Sequence, residues 1–426
     1  MTIFIELLLI IFLARAFGEV AERMGQSAAI GELGAGIVLA ALASALGGSV
    51  PFLRNLIASE AFHAAAQVGI FSLMLMAGVE LQPRDVAQHK LGTFFVALGG
   101  VLVPLGLGVA TGLLLLPPGE ARFVQAFLIG VAMAITAIPA SVRILQDLDL
   151  LDAPVGRIII GAALFDDVIG LVLLAVLTAL ASTGTLPGPS EFALLLAKVA
   201  AFFAITVGLG VHIYPRVSRG LRTLQATAVE LSVLTAVALA YGLLAEMLGM
   251  HWILGAFMAG LFFEPDRVGL RAYDGIKLIA GGVTAGLLGP IFFVSIGAGI
   301  NLGAVAKAPW FLALLIIIAF LGKLIGAGVP AMMGGLGRRE AAAVGVGMSS
   351  RGAVELVVLS IAVETGIIAD GVGPGAKASD GPPIYSCLVV MAVVTTLLTP
   401  VLLRWILKGP VGPARRDDIQ TPDQPF

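Results

Sequence analysis

The sequence predicts an all-α polytopic membrane protein of about thirteen transmembrane helices, an inverted repeat with two broken helices crossing near mid-membrane. Three observations carry this expectation. Hydrophobic residues make up 59% of the chain and charged residues 12%, a balance too apolar for a water-soluble domain. Apolar windows of membrane-spanning length recur from one end to the other between short polar breakers. Short motifs recur between the halves at similar spacing. The composition also narrows function. The one cysteine, Cys387, lies in an apolar run, which leaves no intrachain disulfide and no multi-cysteine metal site. Neither a nucleophile–base pair nor a cofactor motif is legible, so no enzymatic activity and no cofactor are expected. A net charge of −2 gives no reason to expect a nucleic-acid partner. The expected solvent is the lipid bilayer.

The windows fall near residues 3–23, 27–47, 58–80, 91–117, 122–146, 155–181, 191–215, 223–246, 251–263, 276–299, 309–334, 339–366 and 383–407. The first window follows no basic stretch and precedes no small-residue cleavage site, so it reads as a span and not a removable signal. Orientation follows from the basic residues. With the N-terminus outside, the outer loops hold Arg54, Arg122, Lys307 and Lys377, and Lys198, Lys323 and Arg351 fall inside spans. Every other Lys and Arg falls on the cytoplasmic side, as the positive-inside rule requires of a chain with its C-terminus in the cytoplasm.

The repeat is visible in three pairs. Gly31-Glu32-Leu33-Gly34-Ala35-Gly36 in the second span echoes Gly255-Ala256-Phe257-Met258-Ala259-Gly260 in the ninth. Ala77-Gly78-Val79-Glu80-Leu81 echoes Ala298-Gly299-Ile300-Asn301-Leu302, and Gly130-Val131-Ala132-Met133 echoes Gly345-Val346-Gly347-Met348. Each pair joins a span to the one seven later. Seven is odd, so the second half enters the membrane inverted, the seventh span is a connector, and the binding site is expected near the midplane between the halves.

The strongest functional signal is Phe165-Asp166-Asp167, in the middle of the sixth span. A carboxylate at that depth costs several kcal/mol and marks an ion or proton pathway by default. Successive helix residues point about 100° apart, so Asp166 and Asp167 are expected to have different partners and different tasks. Lys323 lies deep in the eleventh span, too far in for its ammonium to reach water along the helix. Its expected partner is one of the two acids. The fifth span carries Thr136-Ala137-Ile138-Pro139, where the proline removes a backbone donor and frees a carbonyl near Thr136. The twelfth clusters Gly345, Gly347, Ser349, Ser350, Arg351 and Gly352 at matching depth. Both are expected to break, with Arg351 placed to neutralise the exposed carbonyl ends or to pin the crossover without touching an ion. Glu355 is spaced to pair with Arg351 one turn on and is read as structural. Glu6, Glu32, Glu80, Glu230 and Glu246 lie near span ends and are expected to meet water or headgroups, and His63, His89, His212 and His251 show no ligand spacing.

These segments resemble the monovalent cation/proton antiporter superfamily. The resemblance rests on Phe165-Asp166-Asp167, on Leu75 to Leu81, on Ile253 to Gly260, on Ser350-Arg351-Gly352-Ala353-Val354-Glu355-Leu356 and on Val393 to Pro400, in family order over essentially residues 1–408. The Asp-Asp pair with Lys323 is similar to the electrogenic sodium/proton branch. Asn-Asp, usual in electroneutral members, and Gln-Asp, usual in Kef-type potassium efflux members, are not what stands here. The segment Thr136 to Pro139 departs slightly from the commoner Thr-Ser-Pro pattern. The resemblance implies that Asp167 binds the ion and that Asp166 pairs with Lys323. Na+ or Li+ would then take oxygens from Asp167 and Asp166, the carbonyl near Thr136 and a hydroxyl or water. It implies a bacterial-type inner-membrane homodimer, with residues 1–57 and 191–264 as a dimerisation part and 58–181 and 276–407 as a core transport part. Residues 409–426 read as a short polar cytoplasmic tail, too short for a nucleotide-binding domain.

The expected function is secondary exchange of Na+ or Li+ for H+ by alternating access. A low-dielectric site favours the neutral form of a carboxyl and of an amine alike, so one site can trade protons for a cation. K+/H+ exchange and sodium-coupled symport of an organic solute are the alternatives. The topology has a direct test: a green fluorescent protein fused at the C-terminus should fluoresce, and alkaline phosphatase fused there should be inactive. The reverse pattern would overturn thirteen spans with the N-terminus outside.

Overall fold

The computed structural model describes residues 2–46, 51–81, 91–119, 121–136, 145, 150, 153–183, 188–212, 229–368 and 382–407. Pro139, His89 and the tail at 409–426 lie outside the described residues. Helices dominate, and no strand occurs among the described residues. The first half contains α1 (Thr2–Arg23), α2 (Ala28–Leu46), α3 (Glu60–Glu80), α4 (Leu91–Leu115), α5 (Arg122–Ala134) and α6 (Pro154–Thr183), with α7 (Pro189–His212) as connector. The second half contains α8 (Val229–Met247), α9 (Ile253–Leu261) and α10, which runs from Leu270–Val283 through a π-helical turn at Thr284–Leu288 into Gly289–Ala298. Then come α11 (Pro309–Gly326), α12 (Arg338–Gly347), α13 (Ala353–Glu364) and α14 (Ile384–Leu407). Eight described helices are long and apolar enough to cross a membrane, and Ala28–Ala43 and Arg122–Ala134 form shorter apolar helices.

Local chemistry sets several boundaries. Ser59 caps α3, its Oγ accepting the Phe62 amide at 3.1 Å, which satisfies one of the donors a helix start leaves open. Prolines open α6, α7 and α11, where their missing N–H is not needed. The two interruptions fall where the sequence places them. The fifth span stops at Ala134 with Ile135 extended (φ −67°, ψ 141°). The twelfth divides into α12 and α13, with Met348 to Gly352 outside both.

The inverted repeat is written in backbone-to-backbone packing. Lipid is as apolar as the helices, so association rests on close fit and small residues. Gly31 of α2 lies against the backbone of Phe17 in α1, and its counterpart Gly255 of α9 lies against the backbone of Tyr241 and Gly242 in α8. Gly36 of α2 meets Val294 in α10, and its counterpart Gly260 of α9 meets Leu75 in α3. Exchanging each span for the one seven away turns each contact into the other. Gly99 of α4 and Gly326 of α11 each face the other's backbone, as expected where counterpart helices cross on the pseudo-symmetry axis.

A side chain at any of these glycines would overlap a carbonyl that cannot move aside. Gly260→Leu should therefore destabilise by at least the 1–3 kcal/mol typical of overpacking, read as a lower melting temperature and a loss of monodisperse protein in detergent. Gly275→Ala, where a Cβ meets nothing, should leave both unchanged.

Candidate functional site

The fifth span ends in apolar surroundings, and a helix end leaves its last carbonyls without intrahelical donors. Two cations from the second half supply the donors. Lys323 of α11, with 0% of its side chain exposed, donates to the carbonyl of Ala134, to Thr136 Oγ1 at 2.6 Å and to Asp166, whose two carboxylate oxygens both lie at 3.4 Å. Three partners match the three N–H bonds of an ammonium. Arg351, from the stretch between α12 and α13, donates through Nη1 to the carbonyls of Ala132 at 3.0 Å and of Ile135. Positive charge at the C-terminal end of a helix also meets the favourable end of its dipole.

The break in α12–α13 receives a matching brace. Thr136 accepts from Lys323, so its own proton is free to donate, and it does so to the carbonyl of Met348 at 3.0 Å, just past α12. Extending the Gly130–Gly345 match without a gap pairs Thr136 with Arg351. Each residue at a break thus reaches across to the helix end of the opposite half. The guanidinium also faces Glu355, Nε to Oε2 at 3.8 Å, in the first turn of α13. Arg351 Nε and Nη2 and both Glu355 carboxylate oxygens find no hydrogen-bond partner among the described residues. That ion pair is close in charge but open in hydrogen bonding.

The structure brings Asp166, Lys323, Thr136 and Arg351 into one cluster, with Glu355 one partner further out. Asp166 sits midway along α6 at 1% exposure, and Asp167, on the next face, is half-buried. Lys323 therefore pairs with the first acid of the two. Asp167 belongs to no cluster of three or more metal-ligating side chains among the described residues. Sequence reading expected a freed carbonyl near Thr136 and Arg351 against the carbonyl ends, as found at Ala132 and Ile135, but it did not name those carbonyls or bring Lys323 to Ala134, because carbonyls carry no residue-type signal. It also misplaced Glu32. The expected contact with water at a span end is not found: Glu32 is 3% exposed and pairs with Arg15 of α1 at 3.3 Å. Its face of α2 turns toward α1, and two opposite charges at similar depth in adjacent spans were the available clue. Of the histidines, His251 stands 3.4 Å from Glu364 at the ends of α9 and α13.

Removing one partner of a buried pair leaves the other uncompensated, at about 3–5 kcal/mol. Lys323→Met should lower the melting temperature of the purified protein in detergent. Adding Asp166→Asn to it should recover much of the loss, so the double variant melts above the Lys323→Met single.

Comparison with known proteins shows the family. Residues 8–409 match the family model described as sodium/hydrogen exchanger, transmembrane. The Na(+)/H(+)-K(+) antiporter GerN of Bacillus cereus is 28% identical over 94% of this chain and 95% of its own. An Na(+)/H(+) antiporter of Enterococcus hirae is 28% identical over 95% and 98%. The solved structure of the sodium proton antiporter MjNhaP1 from Methanocaldococcus jannaschii, at 17% identity, shares the fold, with a TM-score of 0.66 over 95% of this chain and 97% of the other. A family match over nearly the whole chain, joined to the same fold, shows that this protein belongs to the sodium/hydrogen exchanger family within the monovalent cation/proton antiporter superfamily.

Proposed function

We propose that the chain exchanges cytoplasmic Na+ or Li+ for external H+ in a bacterial-type inner membrane, N-terminus outside and C-terminus inside, two protons per cation. The observation that carries this reading is the buried Lys323–Asp166 pair with Asp167 as the next residue. A site able to bind either a cation or protons exchanges them by competition, because occupancy by one excludes the other. In this proposal Asp167 takes the dehydrated cation, with Asp166 and the backbone near Thr136 completing an oxygen shell. Cation binding displaces one proton from Asp167 and draws Asp166 away from Lys323, which without its counter-ion gives up the second proton, while Ala134 and Thr136 hold the neutral amine through its two N–H bonds. The three groups titrate as one coupled system, and no pKa belongs to a single residue. The relatives' names include both sodium and potassium, which keeps K+ as the second candidate cation.

Alternating access needs two parts that move against each other. We assign the crossover bundle of α4–α6 and α11–α14 to the transport part of a homodimer. The earlier division at 57/58 and 264/276 also puts α3 and α10 in that part. Their glycine contacts to α9 and α2 would then lie on the sliding seam, so the proposal keeps α3 and α10 with α2 and α9.

The test is transport. In liposomes with an acid interior and a pH dye, external Na+ or Li+ should drive proton efflux, and Asp167→Asn should reduce it to the rate of protein-free liposomes. Shunting the membrane potential with potassium and valinomycin should speed an exchange that moves net charge. Equal rates with and without the shunt would overturn the two-proton stoichiometry, and absence of any cation-driven efflux from folded protein would overturn exchange itself.

A further inference from the structure

The last helix gives the crossover one side chain that the exchange reading leaves unused. Arg351 stands where neither α12 nor α13 gives its backbone a helical partner. Thr396 of α14, which is buried, fills both needs. The Arg351 amide donates to Thr396 Oγ1 at 2.9 Å, and that oxygen lies 2.9 Å from the Arg351 carbonyl and 2.7 Å from the carbonyl of Ala392. A hydroxyl has one proton and can accept while donating, so it accepts from the amide and shares its proton between the two carbonyls. Its neighbours behave differently. Among the described residues Thr395 and Thr399 bond to carbonyls of their own helix, at Met391, Ala392 and Thr395, the usual habit of threonine in an apolar helix, and of the three it is Thr396 that reaches another segment there.

We propose that Thr396 is a positioning residue for ion exchange. By clamping both backbone polar groups of Arg351, it fixes where the guanidinium meets the carbonyls of Ala132 and Ile135. Between those two lies Ala134, whose carbonyl Lys323 holds. Thr396 therefore sets, through Arg351 and the end of α5, the geometry in which Lys323 engages Asp166. This rests on the exchange reading. A cavity of about 40 Å3 adjoins the clamp, lined in part by Thr396, Arg351, Gly352 and Ala392 and by Ile30 and Leu33 of α2. It has room for a few waters, which could replace a hydroxyl lost by simple truncation, so the informative substitution keeps the side-chain volume.

Thr396→Val removes the hydroxyl at constant shape, and Thr396→Ser keeps it. In the liposome assay Thr396→Val should raise the half-saturating Na+ concentration about tenfold with a smaller change in maximal rate. Thr396→Ser should stay within about twofold of the parent protein, consistent with a retained hydrogen bond. A folded Thr396→Val protein with the parent's half-saturation and rate would overturn the proposal, as would one that only loses folded yield. If Thr396→Val does not fold, Thr396→Cys, close to threonine in volume and only a weak hydrogen-bonding group, carries the same comparison with the same two outcomes. Hydrogen–deuterium exchange separates this proposal from the exchange reading. Faster exchange at Arg351 and at residues 132–136 in the variant supports the clamp even if the parent moves no cation, and unchanged exchange there overturns it.

Discussion

A helix that stops inside a membrane leaves carbonyl oxygens where water cannot reach them, and the arrangement of this protein's interior depends on how those of α5 are met. Ala132, Ala134 and Ile135 all receive donors from Lys323 or Arg351. Both cations come from the second half of the chain, so the donors seen at the end of α5 among the described residues arrive when the two halves are assembled. An apolar run could not supply this, because unsatisfied carbonyls in hydrocarbon cost several kcal/mol each. Two buried cations in turn call for buried anions, and Asp166 and Glu355 are the acids beside them.

The repeat makes this possible and is broken in the right place. Backbone packing is nearly symmetric, with Gly31, Gly36, Gly255 and Gly260 in equivalent contacts. Charge is not symmetric. Where the first half has Thr136 the second has Arg351, so one helix end is met by a hydroxyl and the other by a guanidinium. The scaffold is thus shared between the halves, and the electrostatics are confined to one side of the crossover. A pathway that must accept a cation from one side and release it to the other gains from both: equivalent frames for alternating access and a single charged centre for competition.

The two threonines of the crossover show why hydroxyls suit it. Thr136 links the ammonium to the carbonyl of Met348, and Thr396 links the backbone of Arg351 to α14. Each accepts one bond and donates another, and neither adds a charge to a region that already holds several.

Much of this was legible in the chain. Span positions, the two interruptions and the depth of Asp166, Asp167, Lys323 and Arg351 follow from hydropathy and from glycine and proline placement, because in a bilayer length, apolarity and backbone satisfaction leave few alternatives. What the sequence alone determined was therefore that Asp166, Lys323, Thr136 and Arg351 lie at one depth. Tertiary structure decided which of them meet, that Lys323 takes Asp166 and that Arg351 and Lys323 share the end of α5, and it buried two groups the sequence did not single out for burial, turning Glu32 to Arg15 and Thr396 to Arg351. Those choices depend on helix rotation and on backbone carbonyls, which all residues possess and no residue type announces.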